Sequence, residues 1–123
     1  MRTLLLVGLG GALGSMARYA VAVLMLQYAS TRFPWGTLAV NVLGCLAAGL
    51  LAGLSERHGW IDTEVRAFLF AGVLGGFTTF SAFGLDALAL LRRGETGAAL
   101  AYAAASVVLG LMAAWVGMRL VVR

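Results

Sequence analysis

GVLGGFTTFSAFG, running from Gly72 to Gly84, lies inside a long apolar run and departs from it in composition. Gly75 and Gly76 are poor helix formers, Thr78 and Thr79 are β-branched hydroxyl residues, and Ser81 offers its backbone an alternative hydrogen-bond partner. Together they predict an interrupted helix around residues 75–79. An interruption frees carbonyl oxygens and amide protons, which a bilayer tolerates only where protein buries them or where they have something to bind. A discontinuous membrane helix is therefore a natural ion site. Hard cations such as sodium are held by clustered carbonyls, with a threonine hydroxyl as an available extra ligand. The plain alternative is a kink or a tight glycine contact.

The surroundings place this stretch in a membrane. The chain has 123 residues, 62% hydrophobic and 11% charged, too few charges to cover the surface of a soluble domain. Four segments are long enough to cross about 30 Å of hydrocarbon at about 1.5 Å per residue. They run over residues 4–28, 35–54, 66–91 and 98–122, which makes residues 1–123 one all-α transmembrane domain with a break near the middle of its third helix. The first segment carries Arg18 and no polar cleavage region follows it, so it reads as a retained helix. Cys45, the lone cysteine, reads as a small buried hydrophobe, and a lone His58 makes no metal site.

All nine basic side chains are arginines, and they sit dispersed at segment ends, which argues against a nucleic-acid surface and for a role in membrane orientation. With four crossings, Arg2, Arg57, Arg66, Arg119 and Arg123 share one side, and Arg32, Arg92 and Arg93 the other. That asymmetry is weak, and it fits either a slight preference or insertion both ways round. Trp35, Trp60 and Trp115 fall near segment ends, where indole rings favour the headgroup zone. Gly10 with Gly14, Gly44 with Ala48, Gly49 with Gly53 and Gly72 with Gly76 are small residues four apart, suited to close helix packing. Their number leads us to expect an oligomer, a dimer first.

Few polar groups remain away from the segment ends: Ser15 and Arg18, Thr37 and Asn41, Thr78, Thr79, Ser81 and Asp86, then Tyr102 and Ser106. Thr37 and Asn41 share a face of the second helix, and Tyr102 and Ser106 a face of the fourth. Asn41 serves either as glue between helices or as a donor facing an anion. Arg18 calls for a counter-charge, water, or a path to the nearer interface. Asp86 either lines a wet vestibule or pairs with an arginine. Phe80 and Phe83 stand on the half-helix after the break, where ring edges, which are electropositive, could share an anion's hydration with Asn41; ordinary packing is the alternative.

Three motifs, GGALGSMARY (Gly10 to Tyr19), GTLAVNVLG (Gly36 to Gly44) and GVLGGFTTFSAFG, make the chain resemble the fluoride channel family, small four-helix proteins also known as CrcB or Fluc. The resemblance implies an antiparallel homodimer in the bacterial inner membrane, surrounded by lipid, that passes fluoride passively along two pathways. It implies a fluoride path along Asn41, Phe80, Phe83, Ser81, Tyr102 and Ser106, with Arg18 and Asp86 as vestibule or structural charges. It also implies a structural sodium ion (Na+) at the dimer centre, held mainly by the backbone carbonyls of Gly75 and Thr78. Glutamate is the more familiar residue at the Asp86 position, and Gly110 stands where some members carry another serine. The resemblance implies no enzyme activity.

The closest rival is a small multidrug or guanidinium exporter coupled to protons. That mechanism wants an exchangeable acid in the first helix, where this chain has Arg18 and no Asp or Glu. A subunit that only stabilises other membrane proteins is the third class.

Overall fold

The computed structural model describes residues 1–59 and 61–123; Trp60, expected near a span end, lies outside the described residues. Helix α1 (Arg2–Tyr28) and α2 (Trp35–His58) each cross in one piece, as does α6 (Thr96–Val121). Between α2 and α6 the third span is assembled from α3 (Thr63–Arg66), a π-helical segment (Ala67–Leu74), α4 (Gly75–Phe77) and α5 (Phe80–Arg92). Four helices are thus long and apolar enough to span a membrane, matching the four segments expected. The second runs on through Ser55–His58, beyond its apolar stretch, and ends at Gly59 in the left-handed region (φ 62°). A polar last turn remains helical because it reaches water, where its side chains cost nothing.

Glycines set the helix pairings. A Cβ added at Gly14 would overlap the Val73 carbonyl, one at Gly10 would come within 2.6 Å of the Phe68 carbonyl, and one at Gly76 would overlap Gly11. The first and third spans therefore touch backbone to backbone, running parallel. On the other side Cys45 meets Gly110, Gly49 meets Ala114 and Gly53 meets Met118, so α2 and α6 also run parallel in close contact. Such approach matters in lipid, where packing and not water exclusion holds helices together. Large apolar side chains accordingly face outward in number, Leu4, Leu13, Leu111 and Trp115 among them.

The break itself is narrower than the sequence suggested, and the glycines are not where it happens. Gly75 keeps helical angles (φ −62°, ψ −38°), and the extended residues are Thr78 (φ −81°, ψ 157°) and Thr79 (φ −151°, ψ 118°). Gly76 is needed for contact with α1, not for backbone freedom. The π-helical turns just before it had no signature in the run AFLFAGVL; there the Gly75 amide reaches back to the Phe70 carbonyl.

Because Gly49 has backbone directly opposite, nothing can yield to a side chain. Gly49→Val is expected to destabilise the folded protein by about 3 kcal/mol or more, measured by equilibrium unfolding in mixed micelles. The same change at Gly97, where an added Cβ meets nothing within 4 Å, should stay within about 1 kcal/mol.

Candidate functional site

At the break, side chains from two other helices take over the backbone groups that the helix gives up. The Thr79 amide donates to Asn41 Oδ1 at 2.8 Å, and Asn41 Nδ2 donates to the Thr79 carbonyl at 3.0 Å. The carboxamide thus pairs with Thr79 as a neighbouring strand would. Arg18 Nε donates to the Gly76 carbonyl at 3.0 Å, which places a cation at the negative end of the first half-helix. Thr78 closes that half-helix with its amide and hydroxyl both on the Leu74 carbonyl, each at 2.9 Å. Thr79 opens the next, its hydroxyl accepting from the Ala82 amide at 3.2 Å as an N-cap. Gly44 lets α2 approach, since a Cβ there would overlap the Thr78 methyl.

Among the described residues the carbonyls of Gly75, Phe77 and Thr78 lose their helical donors in this arrangement. In a continuous helix the Gly75 oxygen would accept from the Thr79 amide and the Thr78 oxygen from the Ala82 amide. Asn41 has captured the first donor and the Thr79 hydroxyl the second. Gly75 is exposed, and a Cβ there would make only ordinary contact at 3.5 Å with the Phe70 carbonyl, so nothing within the chain requires a glycine at that position.

Beside the break runs an open groove of about 300 Å³ that brings together Asn41, Thr79, Phe80, Phe83, Ser106 and Cys45. Phe80 is 84% exposed, and its ring lies 5.6 Å from that of Phe83. Cys45 is half-buried on the groove wall, not a core residue as its type suggested, because Gly110 opposite it supplies no side chain to cover it. A second cavity of about 270 Å³ is lined by Thr37, Asp86, Arg32 and Arg93 with Pro34 and Trp35. Beside it Glu95 is shared by Arg93 (3.4 Å) and Arg32 (3.8 Å), so two guanidinium groups divide one carboxylate. Asp86 lines this cavity and is not paired with an arginine among the described residues.

Tyr102 lines neither space but touches residues that line each. It is fully buried, its hydroxyl reaches Asp86 Oδ2 at 3.3 Å, and its ring lies 5.0 Å from Phe83 and edge-on to Phe33 at 5.5 Å. Ser106 Oγ donates to the Tyr102 carbonyl at 2.7 Å, one turn back, so it shows the groove an oxygen and not a proton. Ser81 sits apart from the groove lining, 3.3 Å from the Thr79 hydroxyl. The donors left for an anion are the second Asn41 N–H, one proton of the Thr79–Ser81 hydroxyl pair, the weak Cys45 S–H, and the C–H edges of the two phenylalanines. Arg18 and Thr79 were seen in the sequence as polar groups, but their work on the break was not, since it depends on a partner helix.

The fold and site define a class: a small four-span membrane protein whose third helix is interrupted beside a largely apolar groove that carries a few polar groups. A family described as CrcB-like protein, Camphor Resistance (CrcB), matches residues 5–118. A protein of Methylobacillus flagellatus named fluoride-specific ion channel FluC is 51% identical over 122 residues, covering 98% of this chain and 95% of the relative. Proteins with the same name from Rhizobium meliloti and Rhodospirillum centenum are 53% and 48% identical, each alignment covering 98% of this chain and 96% of the relative. The chain belongs to the CrcB family and is a multi-pass membrane protein, not an enzyme.

Removing the Asn41 side chain strands a half-buried amide and carbonyl at once. Asn41→Ala should lower stability by roughly 2–4 kcal/mol, whereas Thr79→Ala, which removes one cap, should cost about 1 kcal/mol. Unfolding titrations of both variants check the order; equal losses would contradict the two-point latch.

Proposed function

We propose that the protein is a passive fluoride channel that lets cytoplasmic fluoride leave the cell. The observation that carries this reading is the groove that unites Asn41, Phe80 and Phe83, in a chain about half identical to relatives named fluoride-specific channels. Fluoride holds its water tightly, so a path must replace hydration with compact donors without creating one deep well. The spare Asn41 proton and two ring edges are donors of that kind, weak singly and close together. Arg32 and Arg93 at the second cavity would draw an anion toward it, and Glu95 and Asp86, which balance them, keep the field from becoming a trap.

The functional unit is an antiparallel homodimer. The groove is open along its side and leaves Phe80 almost bare, which supports a second copy closing it. The weak arginine asymmetry fits insertion in both orientations. A structural sodium ion at the dimer centre suits the Gly75 and Thr78 carbonyls, whose helical donors are diverted; it would supply the positive charge that lets two such breaks face each other. Oxygen ligands of this kind fit a hard cation, and the described residues contain no His, Cys, Asp or Glu cluster that would hold a softer one.

Purified protein in liposomes tests the reading. Fluoride should leave down its gradient without proton coupling, and proton-dependent cation movement with no fluoride current would overturn it in favour of an exporter. Phe80→Ile should slow fluoride efflux about tenfold, equivalent to about 1.4 kcal/mol of added barrier, while dimer abundance stays unchanged; parallel loss of both would assign Phe80 to packing. Replacing all sodium with a large organic cation should weaken dimer assembly, and unchanged assembly would remove the sodium from the account.

A further inference from the structure

The far end of α6 carries a second polar feature, separate from the groove. Trp115 and Arg119 are four residues apart on one side of α6, and Arg123 follows just beyond the helix, which ends at Val121. Together with Val116, Leu120 and Val122 they line a shallow groove of about 370 Å³. Arg57 of α2 brings a third guanidinium to the same place, its Nη1 donating to the Val121 carbonyl at 2.9 Å.

No carboxylate lies within ion-pair distance of Arg57, Arg119 or Arg123 among the described residues; Glu64, on the same side of the membrane, is held by Arg2 at 3.4 Å. Arginines at a helix end commonly extend into water. Arg119 instead lies back over the Trp115 ring, 5.4 Å from its centroid. Trp115 is one turn, about 6 Å, nearer the bilayer centre, at a depth where indole favours the boundary between headgroups and chains. The groove therefore presents two guanidinium groups above an aromatic and aliphatic floor.

We propose that this groove binds the headgroup of an anionic phospholipid, its phosphodiester between Arg119 and Arg123 and its upper chain against Trp115, Val116 and Leu120. Charge complementarity selects the occupant: a zwitterionic headgroup brings its own cation to the same place, and an anionic one does not. The site is independent of ion conduction.

The test uses full-length protein with Trp35→Phe and Trp60→Phe, leaving Trp115 as the only tryptophan, in nanodiscs of phosphatidylcholine doped with brominated-chain lipid. Brominated phosphatidylglycerol should quench Trp115 at mole fractions on the order of tenfold lower than brominated phosphatidylcholine does. The R119Q/R123Q variant should lose that preference, and R119K/R123K, which keeps both charges, should retain it. Equal quenching by the two lipids would overturn the site, as would a preference that survives R119Q/R123Q. Loss of the preference in R119K/R123K as well would indicate damage to the helix end and count against it. Relief of quenching by millimolar inorganic phosphate would assign the groove to free phosphate and refute the lipid.

Discussion

The pairing of the Asn41 carboxamide with both backbone groups of Thr79 is the constraint on which the rest of the structure depends. A membrane helix that stops and restarts exposes main-chain donors and acceptors in a medium that cannot satisfy them, at a cost of several kcal/mol each if left bare. One side chain removes two of those costs at one residue. Because it does so, Thr79 is fixed in an extended conformation and α5 restarts with Phe80 at its first position. The placement of the two phenylalanines beside Asn41 is a consequence of the same pair of hydrogen bonds.

Close glycine packing is what allows Asn41 to reach. The third span is pressed onto α1 through Gly10, Gly14, Gly72 and Gly76, and Gly44 brings α2 against Thr78. Arg18, carried on α1, then meets the Gly76 carbonyl. Two helices converge on the break, and each contributes both a polar side chain and, at a glycine, the absence of one. Polar groups near the break are almost fully engaged with one another, which leaves few protons facing the groove and limits how strongly an anion can be held there.

Much of this was legible in the sequence. Span number and approximate bounds follow from run length and hydropathy, because lipid requires long apolar segments whatever their partners. The position of the break, within residues 75–79, follows from clustered glycine, threonine and serine. What the sequence could not separate is the work of Gly75 and Gly76 from that of Thr78 and Thr79. Glycine's low helix propensity is a local property, whereas here the decisive events are long-range: capture of Thr79 by a residue 38 positions earlier, and contact of Gly76 with Gly11. Cys45 shows the same limit, since its exposure is set by the missing side chain at Gly110 on another helix. Sequence alone does not separate glue from donor at Asn41, and the geometry permits both, with one N–H spent on the backbone and one to spare.

The central claim is that Thr78 and Thr79 interrupt the third span, and it can be read directly in a bilayer. Thr78–Thr79 is the only pair of consecutive threonines in the chain, so threonine labelled with ¹³C and ¹⁵N gives a single residue-to-residue amide correlation in solid-state NMR. The account predicts extended-type Cα and Cβ shifts for both residues in that correlation, with Thr79 moving toward helical values when Asn41 is replaced by alanine. Helical shifts for the pair in the unaltered protein would contradict it.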